Sequence, residues 1–506
     1  MIGRNYKRAP RRIAVLMFSL GLALAFAPRA DADVTLPTVL ADHMVVQRGL
    51  PTHVWGMADP HEAIAVTFRG ENRSTTADDL GRWSIYLSPG EGGGPFPMLV
   101  KGNNSITLND VLVGDVWVAS GQSNMEFPMT ALANPQPEIA AAQFPQIRIF
   151  RVEHHPADYP QSTVEAKTWT ACTPESVADS SAVAYYFARE VQSRTHVPIG
   201  LIESFWGGTP AESWTSLRSL SADAALMSVF AARAETVGRE STTRLQLKQE
   251  AERAIAKAKA EGKPEPDLPW HPDFDAWAPA ALFNGMIAPV TPFAIRGVIW
   301  YQGEANTGPQ RAPLYARVFQ TMIRDWRNAW GEGDFPFLFV QIANWSTAAE
   351  DLWPDVRNAQ RQALALKNTG MAVTIDIGDP VDIHPKNKHD VGVRLALAAR
   401  ALAYGEKLEY SGPLYRQVTA EEHALRVWFD HADGLNAKGT DLTGFEVAGA
   451  DGKYSPAEAK IDGTSIVVSS ATVPTPVSVR YGWAANPTCN LYNRAGLPAS
   501  PFQAPE

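Results

Sequence analysis

A serine at residue 123 lies where an apolar segment gives way to a turn. Residues 116–125 are Val-Trp-Val-Ala-Ser-Gly-Gln-Ser-Asn-Met. Gly121 would permit the sharp turn that lifts the Ser123 hydroxyl above the end of a strand. A serine hydroxyl is a weak nucleophile and needs a base within hydrogen-bond distance. Taken alone, the pattern fits a nucleophilic serine and a serine that caps a helix equally well.

Three further segments carry glycine or polar residues directly after strand-like apolar runs. They are residues 203–210, Glu-Ser-Phe-Trp-Gly-Gly-Thr-Pro; residues 299–306, Ile-Trp-Tyr-Gln-Gly-Glu-Ala-Asn; and residues 382–385, Asp-Ile-His-Pro. Ligands of open α/β sheets bind outside the carboxyl ends of the strands, so these segments should meet near Ser123 at one edge. Four unrelated structural features would not be expected to share that edge. The arrangement favours a functional site.

The four segments resemble the sequence blocks of the SGNH/GDSL hydrolases, in the version found in sialate O-acetylesterase-like carbohydrate esterases. Residues 121–125 resemble the nucleophile block, and the other three segments agree with the family in order and spacing. Residues 490–493 and 496–498 resemble its C-terminal signature, so the similarity covers about residues 35–502. The resemblance implies a serine esterase that removes acetyl groups from carbohydrate through an acetyl-enzyme and needs no cofactor.

The resemblance, with the needs of acyl transfer, assigns roles to the reacting pair. Ser123 is expected to attack the ester carbonyl, and His384 to take its proton and return it to the leaving sugar hydroxyl. The family commonly has an aspartate three residues before this histidine, but here that residue is Val381 and the aspartate is Asp382. Asp382 is therefore the expected third member. The alternatives are Asp379 as the third member, or a Ser–His dyad in which a backbone carbonyl orients the ring.

The family pattern also implies three oxyanion donors. They are the N–H of the nucleophile, the N–H of Gly207 (with Gly208 nearly equivalent) and the side-chain amide of Gln302. The wider superfamily usually has asparagine in the last role, so Gln302 is a departure and Asn306 its competitor. Glu304 is expected to be a structural acid that orients neighbouring loops, with a direct role as the alternative.

The elements that must position these residues follow an α/β pattern. From about residue 111, apolar runs at 115–119, 147–150, 199–204, 297–301, 337–342 and 372–377 alternate with helical segments, and a helix is predicted over 391–404. This alternation predicts a doubly wound parallel sheet with helices on both faces, over residues 111–405. The expected fold class is α/β of SGNH type.

Two β modules are expected to flank this domain. Short alternating strands broken by turns predict an N-terminal β-sandwich over residues 33–110 and a C-terminal β module with a tail over 406–506. The tail over 481–502 is expected to fold back along the α/β domain. Residues 217–262 are rich in Ala, Glu, Lys and Arg, and predict an inserted helical hairpin with a solvated charged face.

The N-terminus has the pattern of a leader for export. Residues 1–12 carry five basic residues, 13–27 are apolar, and 30–32 are Ala-Asp-Ala, which matches a signal peptide ending at residue 32. The alternative is a retained membrane anchor, although the apolar run is short for one. A periplasmic or secreted enzyme is expected. Without residues 1–32, the chain has 39 basic and 53 acidic residues and a net charge of −14, which disfavours nucleic acid and membrane partners.

No metal site is predicted, because neither His154 and His155 nor His389 has a partner set at metal-ligand spacing. The two cysteines, Cys172 and Cys489, are either a disulfide or two buried thiols. The 15 tryptophans include Trp206, Trp214, Trp300 and Trp345 near the site blocks, where aromatic rings serve either the core or a sugar platform.

The expected substrate is an acetylated oligosaccharide or polysaccharide, with a neutral hemicellulose such as xyloglucan favoured over sialic acid. A carboxylate-bearing sugar would need a basic clamp, and the site blocks contain no Arg or Lys. The nearest candidates are Arg296, Lys386 and Lys388. The alternatives are a sialate 9-O-acetylesterase, a lipid or thioester hydrolase of the same superfamily, and a non-catalytic carbohydrate-binding protein.

Overall fold

The computed structural model describes residues 33–264, 266, 273–347 and 350–505. The predicted leader, residues 1–32, lies outside the described residues. In the part that is described, every helix is too short or too polar to cross a membrane.

The N-terminal part is built from short strands. They are β1 (Val45–Gln47), β2 (Thr52–Met57), β3 (Ala63–Phe68), β4 (Glu71–Thr76), β5 (Arg82–Leu87) and β6 (Gly93–Lys101). Strands β2 and β5 form a separate antiparallel pair, whereas β1, β3, β4 and β6 join a larger sheet through β7 (Ser105–Gly121). Strand β7 is a single strand of 17 residues. The predicted boundary at residue 110 therefore falls inside a continuous strand and not in a linker.

Strand β7 continues into the central sheet, which carries the site. The other strands of this sheet are β8 (Phe144–Arg151), β9 (Thr170–Cys172), β10 (Ile199–Phe205), β11 (Gly297–Tyr301), β12 (Phe337–Val340) and β13 (Thr369–Ala372). Their order is β13-β12-β11-β7-β10-β8-β9, and all neighbours are parallel except β8 and β9. The sheet is the parallel α/β sheet that the sequence predicts, with an antiparallel strand at one edge.

Helices cover both faces of the central sheet. They are α1 (Ser123–Glu126), α2 (Pro135–Ala140), α3 (Pro174–Val177), α4 (Ala182–Thr195), α5 (Leu217–Ser221), α6 (Ser228–Ala260), α7 (Ala312–Trp330), α8 (Trp353–Gln362) and α9 (Lys388–Leu402). Helices α4 and α9 share one apolar core with the sheet, whereas α7 and α8 belong to the core on the other face. Burial of each sheet face against helices is the main source of stability for such a layered fold.

The last strand of the central sheet ends earlier in the sequence than predicted. Strand β13 ends at Ala372, whereas the sequence predicts a strand over 372–377. Beyond that point side chains satisfy backbone groups in place of a neighbouring strand: Arg394 Nη1 donates to Val373 O at 2.6 Å, and Thr374 Oγ1 donates to Gln341 O at 2.5 Å. The loop that follows carries His384.

The predicted helical hairpin over 217–262 is wrong. The segment contains the short α5, a single 3₁₀ turn at Ala224–Met227 and the uninterrupted 33-residue helix α6. One glycine at position 238 costs a helix only about 1 kcal/mol relative to alanine. Without a proline or a cluster of turn residues, the charged repeat continues as one helix.

The C-terminal part, as described through residue 505, contains ten strands. They are β14 (Leu414–Glu421), β15 (Ala424–Asp430), β16 (Asn436–Ala437), β17 (Phe445–Ala448), β18 (Tyr454–Pro456), β19 (Glu458–Asp462), β20 (Ser465–Ser469), β21 (Ser478–Tyr481), β22 (Leu491–Tyr492) and β23 (Phe502–Ala504). Two antiparallel sheets, β14-β15-β20-β19 and β18-β17-β21-β23, contribute to one core.

The tail lies against the α/β domain, as the sequence predicts. Buried Arg357 of α8 donates to the carbonyls of Ala484 and Ala485, at 2.8 and 2.9 Å. Gln341 Nε2 donates to Ser500 Oγ at 2.8 Å. These bonds satisfy a buried guanidinium that would otherwise be costly, so they fix the tail next to the strand ends.

Candidate active site

A cleft of about 800 Å³ opens at the carboxyl ends of β7, β10 and β11. Of the eight residues that the sequence singles out, five line it: Ser123, Gly207, Gly208, Glu304 and His384. Gln302, Asn306 and Asp382 do not line this cleft. Asp382 instead lines a smaller adjoining pocket that also contains Ser123 and His384.

Ser123 and His384 are directly hydrogen-bonded. Ser123 is the first residue of α1, two positions after the end of β7, and its Oγ lies 2.8 Å from His384 Nε2. Gly121 has a φ of +139°, and a Cβ there would lie 2.1 Å from Tyr301 O. Only glycine fits this close approach of two strand ends, which is what allows the chain to turn and present the serine hydroxyl. The pair has the geometry of a nucleophile with its general base.

The surroundings of His384 favour the neutral imidazole. Burial lowers the pKa of His384, the positive charges of Lys388 and Lys386 act in the same direction, and Asp382 opposes them. A base must be unprotonated to accept a proton, so these charges suit a histidine that acts as the base at neutral and mildly acidic pH.

Asp382 supports the backbone of the histidine loop. Its Oδ1 accepts the His384 backbone N–H at 2.8 Å and lies 3.7 Å from His384 Nδ1, beyond hydrogen-bond distance. Asp379 Oδ1 likewise accepts backbone N–H groups, those of Val381 and Asp382, at 2.9 and 3.3 Å. In the described structure neither carboxylate is hydrogen-bonded to the imidazole, and both hold the loop that carries it.

The two glycines of the second block differ in what their N–H groups contact. Gly207 is close to the nucleophile, since a Cβ on it would lie 3.3 Å from Ser123 Cβ, but its N–H donates to Glu126 Oε2 at 2.6 Å. The N–H of Gly208 has no hydrogen-bond partner among the residues that the structure describes. Trp277 Nε1 donates to Gly208 O at 2.8 Å and so orients this loop.

Gln302 does not reach the cleft, contrary to what the sequence predicts. It is fully buried, and its Nε2 donates to Asn306 Oδ1 at 2.7 Å and to Thr209 O at 3.3 Å. Its Oε1 accepts from Tyr315 OH at 3.0 Å. Asn306 is also buried, with its Nδ2 donating to Glu212 Oε2 at 3.0 Å. Both amides are used within this network and neither is offered to a ligand.

Gln122 is a residue that the sequence analysis missed. It lines the cleft beside Ser123, and its Oε1 accepts the N–H groups of Gly303 and Ala305 at 3.3 and 3.1 Å. Those bonds fix which end of the amide is oxygen, and within the described structure its Nε2 has no protein partner. The signal was available, because Gln122 directly precedes the nucleophile. The family pattern pointed instead to an amide in the third block, Gln302.

A buried charged cluster lies beneath the reacting pair. Asn124 Nδ2 donates to Glu304 Oε1 at 2.6 Å and to Ile383 O at 3.0 Å, and Lys388 Nζ donates to Asn124 Oδ1. Burial raises the pKa of Glu304 and lowers that of Lys388 to about 7. The expected role of Glu304 in holding neighbouring loops is consistent with these contacts.

Aromatic rings form the walls of the cleft. Trp206, Trp277, Trp345 and Trp353 line it, and His154 stacks on Trp206 with ring centroids 4.3 Å apart. Trp214 and Trp300, which the sequence also placed near the site, are instead fully buried core residues. Flat apolar walls of this kind suit the faces of sugar rings.

Only some of the basic residues closest to the site blocks in sequence lie near the cleft. Arg296 precedes β11, so it lies at the opposite edge of the sheet, where it contacts Ala403 O. Arg311 lines the cleft, lies 4.5 Å from the Trp277 ring centroid and donates from Nε to Glu212 Oε1 at 2.8 Å. Lys386 lines the adjoining pocket.

Cys172 and Cys489 are both free thiols. Burial raises the pKa of Cys172 to about 12 and also raises that of Cys489. Of the two interpretations of the cysteines, the described structure shows the unpaired one, in which neither thiol is activated as a nucleophile.

Comparison with known proteins points to one group of enzymes. The sequence profile of the family described as carbohydrate esterase, sialic acid-specific acetylesterase, matches residues 272–401. Sialate O-acetylesterases from Mus musculus and Rattus norvegicus are each 30% identical, over 97% and 98% of this chain and 96% and 98% of their own lengths. A carbohydrate acetylesterase from Xanthomonas citri has a structure with a TM-score of 0.81 and 39% identity, covering 93% of this chain and 99% of its own.

Proposed function

Because the chain belongs to the sialate O-acetylesterase family of carbohydrate esterases, which are carboxylic ester hydrolases, we propose that it hydrolyses O-acetyl esters on saccharides. The observation that carries the proposal is the 2.8 Å contact between Ser123 Oγ and His384 Nε2 inside a cleft walled by tryptophans. A nucleophile paired with a neutral base is what acyl transfer requires.

In the proposed reaction, Ser123 Oγ attacks the acetyl carbonyl while His384 Nε2 takes the hydroxyl proton. The tetrahedral intermediate collapses to an acetyl-enzyme, and the imidazolium gives its proton to the departing sugar oxygen. Water then attacks the acetyl-enzyme with His384 again as base. Acetate leaves and Ser123 regains its proton.

For the oxyanion we propose three donors: the N–H of Ser123, a glycine N–H and the side-chain amide of Gln122. Gly208 N–H is available as the structure stands, whereas Gly207 N–H becomes available only if Glu126 moves away from it. Gln122 replaces Gln302 in the proposal because it lines the cleft and its Nε2 has no partner among the residues that the structure describes. Preorganised donors of this kind are usually the largest electrostatic contribution to acyl transfer.

We propose that Ser123 and His384 work as a dyad whose ring is held by its loop. The loop is fixed by Asp382 and Asp379 through backbone N–H groups, and the role of Asp382 is then to place the imidazole. In a full triad its carboxylate would instead bond Nδ1 and stabilise the imidazolium.

The proposed substrate is a neutral acetylated oligosaccharide, with xyloglucan fragments as the example. The support is the net charge of −14 without the leader and the state of Arg311, whose charge is already paired with Glu212. A guanidinium that is paired in this way is a poor clamp for a sugar carboxylate.

A sialate 9-O-acetylesterase is the second candidate. The names of the relatives favour it, as do the positions of Arg311 in the cleft and Lys386 beside it. The two candidates are separated by kcat/KM for an acetylated xyloglucan oligosaccharide against 9-O-acetyl sialic acid. A ratio that favours the sialic acid would overturn the substrate proposal and leave the esterase proposal intact.

We also propose that residues 1–32 are removed on export, which gives a periplasmic or secreted enzyme with three parts: residues 33–110, 111–405 and 406–506. Since β7 continues through residue 110, the first two parts are expected to unfold together. The support for export is the sequence pattern of the leader.

The esterase proposal is tested by acetate release. The protein should release acetate from O-acetylated saccharides, and Ser123→Ala should lower kcat on the order of 10⁴-fold or more. Its thermal unfolding should match that of the unmodified protein, because among the described residues the Ser123 hydroxyl is hydrogen-bonded to His384 alone. Retention of a tenth of the activity by Ser123→Ala would overturn the proposed nucleophile.

A further inference from the structure

A fully buried lysine lies beneath the reacting pair, and the proposed reaction does not use it. Lys388 is the first residue of α9, four positions after His384, and has no exposed surface. Its Nζ bonds Asn124 Oδ1 and lies 4.7 Å from the Phe127 ring centroid and 5.5 Å from that of Tyr301. A buried ammonium is costly, so its retention at this point needs a reason beyond packing.

The partner of this lysine connects the two loops that react. Asn124 follows Ser123 directly, and its Nδ2 donates both to Glu304 Oε1 and to the carbonyl of Ile383, the residue before His384. One side-chain amide thus joins the nucleophile helix to the histidine loop. The ammonium fixes the orientation of that amide, because an asparagine oxygen that accepts from a cation cannot flip to donate.

We propose that Lys388 is a positioning residue: it holds Asn124, and through Asn124 the spacing of Ser123 and His384, while its charge keeps His384 in the form that accepts a proton. The inference rests on the proposed function, in which His384 is the general base. A buried cation then supplies part of the positioning of the histidine that the third residue supplies in a Ser-His-Asp triad.

Several charged groups lie around the pockets that His384 lines, besides Lys388. They are Asp382 and Lys386 on its own loop, Glu126 on α1 with its partner His154, and Glu304 behind Asn124. Lys386 and Asp382 form an ion pair of 3.1 Å with side chains 46% and 36% exposed, so solvent screens both. Of the two lysines that follow His384 in the described structure, Lys388 is the fully buried one, so water screens its charge least.

The effect of this charge has a definite sign. Burial lowers the pKa of Lys388 to about 7, so the side chain is charged below that pH and repels a proton on His384 there. Above that pH the lysine becomes neutral, but His384 is already unprotonated. Loss of Lys388 should therefore raise the pKa of His384 and move only the acid limb of the pH profile.

The test compares Lys388→Met with Lys386→Met, which removes an exposed charge of the same sign from the same loop. For Lys388→Met, the acid limb of kcat/KM with p-nitrophenyl acetate should move up by about one pH unit, as an unscreened neighbouring charge would produce. For Lys386→Met it should move by about 0.3 unit or less, since screening weakens that charge. Coinciding acid limbs would overturn the inference.

A second variant separates this effect from misfolding. Lys388→Met leaves Glu304 buried without its cation, so the double variant Lys388→Met/Glu304→Gln removes both charges. It should unfold at a higher temperature than Lys388→Met alone, and its acid limb should lie about one pH unit above that of Glu304→Gln, the matched single variant. Coinciding acid limbs in Glu304→Gln and the double variant would show that Lys388 does not act on His384 through its charge.

A third readout does not depend on esterase activity. The imidazole C2–H signal of His384, identified by its loss in His384→Ala, can be titrated by NMR in the full-length chain. A raised pKa in Lys388→Met supports the inference, and an unchanged one refutes it, whatever the enzyme hydrolyses. Failure of the proposed function would instead appear as acetate release that survives Ser123→Ala.

Discussion

Two buried polar clusters lie beneath the cleft, and they relate to the reacting pair in different ways. The first, the Lys388 cluster, is Asn124, Glu304 and Lys388, and the second, the Gln302 cluster, is Gln302, Asn306, Glu212 and Tyr315. In the Lys388 cluster, Asn124 directly follows Ser123, and its side chain bonds the carbonyl of Ile383, which directly precedes His384. The Gln302 cluster bonds the block of Gly207 and Gly208, through Thr209, and not the reacting pair.

Both clusters come largely from the segments that the sequence marks as site blocks, and the third block contributes to each. Glu304 points towards the nucleophile helix, whereas Gln302, two positions earlier, points into the core. Gly303 between them has a φ of +155°, and a Cβ there would lie 2.7 Å from Ile342. This backbone conformation, open to glycine, decides which side chain faces which way. The end of a predicted strand therefore indicates where a site lies, but it does not indicate which side chain there faces the substrate.

The sharpest test compares two glutamines: Gln122, which lies beside the nucleophile, and Gln302, which belongs to the Gln302 cluster. Gln122→Ala should lower kcat about 100-fold, as loss of one oxyanion donor does. Gln302→Ala should change kcat by less than about three-fold and instead lower the free energy of unfolding by about 1–3 kcal/mol, because it leaves buried partners unsatisfied. Rates with p-nitrophenyl acetate and urea unfolding give the two quantities.

Gln122→Glu is the matched control for that pair. The carboxylate still accepts the N–H groups of Gly303 and Ala305 but offers no donor, so it should lose at least as much kcat as Gln122→Ala. If Gln302→Ala loses 100-fold in kcat and Gln122→Ala does not, the assignment made from the sequence is right and the one made from geometry is wrong.

The elements of the central sheet were predictable because their signal is local. A run of apolar residues between turns predicts a buried parallel strand, and the described strands β7, β8, β10, β11 and β12 overlap the predicted runs. Ser123 and His384 were predictable for the same reason, since each follows such a run within a recognisable block.

Features that depend on contacts between distant segments were not predictable. Continuation of β7 through residue 110 depends on pairing with β6 on one side and β10 and β11 further along. The direction of Gln302 depends on Thr209 and Tyr315, which lie outside its own block. The wrong hairpin has a different cause: the helix of α6 was predicted, but a turn was placed where the sequence itself lacks turn residues.

A smaller effect is expected at Asp382, which would be the third member if the reacting pair were part of a triad. Asp382→Asn should lower kcat by less than about ten-fold, against the order of 10⁴-fold expected for His384→Ala. The reason is that asparagine Oδ1 can still accept the His384 backbone N–H, which is the 2.8 Å bond in the structure. Equal losses of kcat in the two variants would make Asp382 a full triad member and the dyad wrong.

The smallest effect should come from the cationic rim of the cleft. Arg311 contacts Glu212 on one side and the face of Trp277 on the other. Because the charge of Arg311 is already paired with the buried carboxylate of Glu212, Arg311→Gln should change kcat/KM for a neutral acetylated oligosaccharide by less than about five-fold, and its main cost should be to stability, since Glu212 loses its cation. The same variant should change kcat/KM for 9-O-acetyl sialic acid by no more, since the guanidinium is already neutralised by Glu212.

Lys386→Gln, beside the cleft but not paired with Glu212, is the control for a general loss of positive charge. A loss near 100-fold confined to Arg311→Gln and to the sialic acid would mean that Arg311 leaves Glu212 to bind the sugar carboxylate, and the neutral-substrate proposal would then give way to the sialate one.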